Sequence, residues 1–229
     1  MILKPLKILA AILCLLGAST AYAQSGPLRI LTIGDSLMAW HNLSKQAIPQ
    51  NLARELGQSV KSRAVGGARI LYALPLTGAM GMSIPKQYHR GKWDWVVVNG
   101  GGNDLWLGCG CRACDTTMRR MISPDGRRGR IPGLVNTLRK SGARVIYVGY
   151  LRSPGVGSAI DHCRDEGNEF DRRINNLANL DKDIHFLSLA NLVPYGDKSY
   201  HFDDLIHPST KATAIIAKMI ADIIKSEPR

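Results

Sequence analysis

The stretch Leu28-Arg29-Ile30-Leu31-Thr32-Ile33-Gly34-Asp35-Ser36 decides the class of fold. It is a short apolar run that stops abruptly in Gly-Asp-Ser, the pattern of a strand buried on both faces and ended by a turn. Similar runs recur at Trp95 to Val98 and Val145 to Val148, and Ser59 to Val65 reads as a further strand. Stretches of helical spacing alternate with them. Gln46 to Leu56 places Ile48, Leu52 and Leu56 on one face, and Ile131 to Leu138 has Pro132 near its start. Phe170 to Leu180 and Ala212 to Ile224 also read as helices. Strands alternating with helices form βαβ units, so the expectation is a mainly parallel sheet covered on both sides, a three-layer α/β/α sandwich.

With 229 residues, 45% of them hydrophobic and 21% charged, the chain has the balance and length of one α/β domain with a sizeable core. At the amino terminus Lys4 and Lys7 precede the apolar run Ile8 to Leu16, and Ala21-Tyr22-Ala23 offers the small-x-small pattern of a cleavage site. Residues 1–23 therefore read as an export signal, with a single domain at 24–229 and a mature chain that begins near Gln24. A periplasmic or secreted location follows. The run is shorter than the roughly 20 residues a spanning helix needs, and Leu13 is too bulky before Cys14 for a lipid-attachment signal. No later stretch is long and apolar enough to span, so no stable membrane insertion is expected after signal removal.

The formal net charge of +12 falls by two with Lys4 and Lys7 gone. An excess of basic residues suits anionic partners, but here they are scattered. The one dense patch, Arg127-Arg128-Gly129-Arg130, is short and lacks the interleaved aromatics of a strand-binding surface, so nucleic acid is not an expected partner. Signal removal also takes Cys14, leaving Cys109, Cys111, Cys114 and Cys163, an even set in a chain bound for an oxidising compartment. Two disulfides are expected. Three pairings are open, and a Cys109–Cys111 bridge across one residue would be strained, so at least one bridge should reach Cys163. The rival reading is a zinc site built on Cys111-x-x-Cys114, although the second C-x-x-C pair of a zinc ribbon is missing.

Two segments break the alternation, Leu71 to Arg90 with its Gly and Pro residues and Leu105 to Arg130 with its cysteines. Each follows candidate site residues, so both are expected to form walls or a lid of a pocket. Those candidates begin with Ser36, which the Gly34-Asp35-Ser36-Leu37 turn places at the carboxyl edge of the sheet, where open α/β folds bind ligands. Asp204-Leu205-Ile206-His207-Pro208 sets a carboxylate three residues before an imidazole. The carboxylate can hold the Nδ1 proton there, leaving Nε2 free to take the proton of a serine hydroxyl. Pro208 and Ser209 also resemble a helix start, which would fix the imidazole in place. Gly101-Gly102-Asn103-Asp104 follows the Trp95 to Val98 strand at the same edge, and the Asn103 amide can donate to an oxyanion. A glycine of Val65-Gly66-Gly67-Ala68 could add a backbone N–H, the two neighbours leaving the choice open. Arg152 and His201 read more readily as an exposed basic residue and a solvated loop histidine than as parts of a site.

Together these four motifs, in this order and across nearly the whole mature chain, resemble the GDSL, or SGNH, hydrolases. The resemblance implies a flavodoxin-like fold, with Ser36 as nucleophile, His207 as base and Asp204 orienting it. It also implies an oxyanion hole from the Ser36 N–H, the Asn103 amide and a glycine N–H, for which it favours Gly67. The implied activity is an acylhydrolase or esterase that needs no metal or organic cofactor. Its substrate would be a small-molecule, lipid or glycan acyl ester, such as an O-acetylated polysaccharide. The second motif lacks the Asn-x-Gly pattern many members show, and the cysteine insert is not a general family feature. The alternative is a non-catalytic envelope protein whose cysteine cluster binds a metal or a partner.

Overall fold

A computed structural model describes residues 26–228; the expected signal at 1–23, with Cys14 and the cleavage site before Gln24, lies outside them. In chain order the elements are β1 (Ile30–Ile33), α1 (Ser36–Ala39), α2 (Ile48–Leu56), β2 (Val60–Ser62), α3 (Pro75–Thr77), α4 (Ile84–Gln87), β3 (Trp95–Val98), α5 (Gly102–Cys109) and α6 (Asp115–Met121). They continue with α7 (Arg130–Lys140), β4 (Arg144–Val148), α8 (Arg164–Ala178), β5 (Ile184–Leu187) and α9 (Thr210–Ser226). The five strands form one parallel sheet in the order β2-β1-β3-β4-β5. Ile30 sits opposite both Val60 and Trp95, and Trp95 opposite Arg144.

The strand runs are continuous in apolar residues because both faces are covered. Leu31 and Ile33 of β1, Val96 and Val98 of β3 and Tyr147 of β4 point into one core, filled by Leu105, Met118, Leu134, Val135, Phe170 and Ile174 from α5 to α8. Their neighbours Ile30, Trp95, Val97, Ile146 and Val148 point into the other, filled by Ile48 and Leu52 of α2 and by Ala212, Ile216 and Ile220 of α9. That alternation is the two-residue period of a strand read on two buried faces. The expected three-layer sandwich is the observed architecture.

Several boundaries differ for local reasons. The second strand is only three residues and lies at the sheet edge, where Lys61 and Ser62 face solvent. Helix α8 starts six residues before Phe170, through polar turns with no apolar period, and Arg172 and Arg173 both pair with Glu169 at 2.7 Å. Strand β5 escapes notice in the sequence because Ile-His-Phe-Leu is short and carries a polar residue. Among the described residues no helix is long and apolar enough to cross a membrane.

The sheet order also places the site. From β1 the chain moves outward to β2, then returns to the other side of β1 to make β3. The carboxyl ends of β1 and β3 therefore flank a topological switch point, the crevice where open α/β sheets receive ligands. The turn after β1 is packed tightly there. A Cβ on Gly34 would lie 2.9 Å from the Asn99 carbonyl oxygen, which only glycine avoids. Gln87 braces the same turn from beneath, accepting from the Gly34 N–H at 2.7 Å and donating to the Gly34 carbonyl at 2.8 Å. That is the task of the Leu71 to Arg90 segment, which lines no part of the pocket beside Ser36, against expectation. The other irregular segment does form a wall, through Leu105, Trp106 and Cys111.

Candidate active site

Ser36 opens α1 directly after the Gly34 turn, and the buried Asp35 caps that helix by accepting from the Leu37 N–H at 3.0 Å. Opposite it lies the loop that leads into α9, whose cap is Ser209, with Oγ accepting from the Ala212 N–H. The start signal at Pro208-Ser209 thus anchors His207 two residues before the cap of a helix. Asp204 organises the loop from within. One carboxylate oxygen accepts from the backbone N–H groups of Ile206 and His207, each at 2.9 Å, and the other lies 2.6 Å from His207 Nδ1. Burial works to raise the Asp204 pKa, but the His207 ring and these two N–H groups outweigh it and hold the carboxyl below its ordinary range.

An ionised carboxylate only accepts, so the His207 proton belongs on Nδ1 and Nε2 is left with its lone pair. Nε2 lies 2.9 Å from Ser36 Oγ. Hydroxyl, imidazole and carboxylate thus form one hydrogen-bonded line across 171 residues of sequence, the three groups that the motifs singled out.

Around Ser36 Oγ the donors are less committed. Asn103 Nδ2 donates to the Ala68 carbonyl at 3.1 Å, which ties the Val65–Ala68 turn to the start of α5 and leaves the second amide hydrogen without an acceptor among the described residues. The backbone N–H groups of Ser36, Gly66 and Gly67 donate no hydrogen bond among the described residues. Gly67 has a left-handed backbone, φ 76°, and neither glycine lines the pocket beside Ser36, whereas Asn103 does. Asp104 turns away from the site and accepts from Ile70 and Leu71 N–H at 2.9 and 2.8 Å; burial raises its pKa against those bonds.

A cavity of about 120 Å³ opens beside Ser36 and His207, with Leu105, Trp106, Ile160, Phe170 and the Cys111–Cys163 bridge among its walls. The cysteines pair as Cys109–Cys114 and Cys111–Cys163, so one bridge reaches Cys163 as expected. His162 lies beside Cys111 and Cys163, but with both sulfurs in a bridge neither is a thiolate that could ligate zinc.

Two residues depart from their sequence reading. Arg152 is 8% exposed, not a surface cation. It lines the cavity and pairs with Asp171 at 2.9 Å, a carboxylate on α8 that lies 19 residues further along the chain and that sequence spacing could not reveal. His201 is 6% exposed rather than solvated, and burial lowers its pKa. Sequence reasoning also missed Tyr150, whose hydroxyl donates to Asp35, and Trp40, which stacks on His207. Burial pushes Asp35 up to about 6, against the bonds it accepts from Tyr150 and Leu37.

A nucleophile-grade hydroxyl aligned with an imidazole and a carboxylate, at the switch point of a parallel α/β/α sheet, places the molecule among the serine hydrolases. The chain belongs to the GDSL-like lipase/acylhydrolase family, which it matches over residues 32–215, and is a serine esterase or acylhydrolase acting on ester bonds. Solved structures share the fold. A protein from Slackia heliotrinireducens described as an SGNH hydrolase is 20% identical, with a TM-score of 0.62 over 87% of this chain and 100% of its own. TesA is 21% identical, with a TM-score of 0.57 over 86% and 98%. A family two carbohydrate esterase from Clostridium thermocellum, solved with cellohexaose, is 21% identical, with a TM-score of 0.55 over 89% of this chain and 66% of its own. No curated protein matches the chain at a significant level.

Proposed function

We propose that this chain is an exported esterase that removes short acyl groups, acetyl foremost, from an alcohol such as a glycan hydroxyl. The observation that carries the reading is the Ser36–His207–Asp204 line opening onto a cavity of about 120 Å³. An apolar cavity of about 150 Å³ takes up a ligand the size of benzene, so this one suits an acyl group of few carbons rather than a fatty chain. The carbohydrate esterase that shares the fold is consistent with a glycan alcohol. The Lys4/Lys7 segment with its apolar run and Ala-x-Ala site supports export of a 24–229 domain, as does a pair of disulfides, which persist in oxidising compartments.

In this reading Ser36 Oγ attacks the ester carbonyl as its proton passes to His207 Nε2. The tetrahedral oxyanion is met by the Ser36 N–H, the Asn103 amide and a glycine N–H, with Gly67 preferred. Collapse breaks the bond to the alcohol, which leaves with the proton from His207. Water then gives a proton to His207 and attacks the acyl-serine, and the second collapse frees the carboxylic acid and returns the proton to Ser36. Asp204 keeps the Nδ1 proton in place throughout. An activity series over aryl esters from acetyl to long-chain acyl tests the substrate. A steep fall beyond the first few carbons is expected, whereas rising activity toward long chains would assign a lipid substrate. Labelling of Ser36 by a fluorophosphonate tests the nucleophile, and folded protein that stays unlabelled would favour the non-catalytic alternative.

A further inference from the structure

We propose that Trp40 is a positioning residue for His207, and that its indole face favours the imidazolium form the ring takes when Ser36 yields its proton. The inference rests on His207 being the base of Ser36. Trp40 closes the one-turn helix that begins with Ser36, and its ring lies flat on the imidazole, with centroids 3.6 Å apart and planes 2° from parallel. The hydrogen bond to Asp204 pins Nδ1 but leaves the tilt of the ring plane free. A flat stack removes that freedom, so Nε2 stays directed at Ser36 Oγ.

The neighbours of Trp40 extend the grip. His41 follows with φ 66°, and its Nε2 lies 3.0 Å from the Pro208 carbonyl oxygen. Phe202, at the other end of the His207 loop, stands edge-on to Trp40 at 5.6 Å and to His41 at 5.8 Å. The turn that bears the hydroxyl therefore holds the loop that bears the imidazole at three points, on the His207 ring face, on the Pro208 backbone and on the Phe202 ring. Such a brace matters because the His207 and Asp204 side chains keep 21% and 33% of their surface in solvent, where water competes for their bond. The chemical consequence follows from the charge. An indole face attracts a cation more than a neutral ring, so the stack is strongest in the transition state, where the imidazole gains its proton.

Trp40→Leu keeps apolar bulk and removes the π face. On an aryl acetate it is expected to lower kcat about tenfold with KM changed less than about twofold. The acid limb of kcat/KM should move to lower pH, because the imidazolium loses its support. Trp40→Phe retains a π face and should keep most of kcat and the position of the limb. Asp204 on the loop, Asp35 and Ser36 on the β1–α1 turn, His41 after α1 and His201 at the loop start are the same in both variants, so their difference reports on the ring face. Unchanged kcat in Trp40→Leu overturns the proposal, and so does a fall in kcat with the limb unmoved and Phe no better than Leu. Should Trp40→Leu fail to fold, the His207 Hε1 resonance of Ser36→Ala protein decides. Displacement upfield by the indole ring current supports the stack, and an unstacked position overturns it. Full activity in Ser36→Ala would instead remove the base reading, and this inference with it.

Discussion

Asp35 is the residue whose role changes most between sequence and structure. In the sequence it is one letter of a turn; in the fold it is buried, caps α1 and accepts from Tyr150, and burial pushes its pKa up to about 6. Its folded pKa lies above the ordinary 3.8, so the folded state binds the proton more tightly than the unfolded chain. Its contribution to stability is then fully present below about pH 4 and is lost as pH rises through about 6. Asp35→Asn should remove that dependence, and the wild type should lose on the order of 2–3 kcal/mol relative to the variant between those limits, read from urea midpoints at each pH. An equal pH profile for both proteins counts against the burial argument. The residues proposed to react were legible as motifs, and the fold brings Ser36, His207 and Asp204 into one hydrogen-bonded line. In the proposed mechanism Ser36→Ala should lower kcat by roughly 10⁴ to 10⁶ and Asn103→Ala by about 10² to 10³, since there one deletes the nucleophile and the other a single donor. Steady-state kinetics on an aryl acetate would separate the two, and comparable losses would contradict the assigned roles.

Elements with a plain apolar period announced themselves, and α9 and β3 emerge within two residues of their reading. Polar turns did not, because their stability comes from partners far away in sequence. Helix α8 begins at a bridge, since Cys163 caps it while bonded to Cys111 on the turn between α5 and α6. The two disulfides are unequal in consequence. Cys111–Cys163 closes a loop of 52 residues and Cys109–Cys114 one of 5. In the chain-entropy account the longer loop contributes about 4 kcal/mol and the shorter about 2. Replacing Cys111 and Cys163 together by Ala should therefore lower Tm by more than replacing Cys109 and Cys114, as calorimetry can measure. It should also raise KM more, because only that bridge joins two walls of the cavity. The reverse order of the two Tm losses would refute the loop-length argument.

For the whole molecule, the site is a property of the sheet rather than of any one segment. Ser36 follows β1, Asn103 follows β3, and His207 precedes the helix that packs with α2 on the far face. Activity should accordingly fall in the same urea transition as near- and far-UV circular dichroism, and loss at clearly lower urea would mean that the His207 loop detaches on its own. The sequence by itself determined the βαβ alternation, the residues at the strand ends and the even set of cysteines, because burial period, turn chemistry and motif order are local properties of a chain. Only the tertiary structure decided which cysteines pair, that Arg152 is buried against Asp171, that the 71–90 segment braces Gly34 instead of lining the cavity, and that an indole lies on the imidazole. Apart from the five-residue Cys109–Cys114 bridge, each of those is a contact between residues distant in sequence. What brings such residues together is the packing of two cores on one sheet, and neighbouring letters carry no record of it.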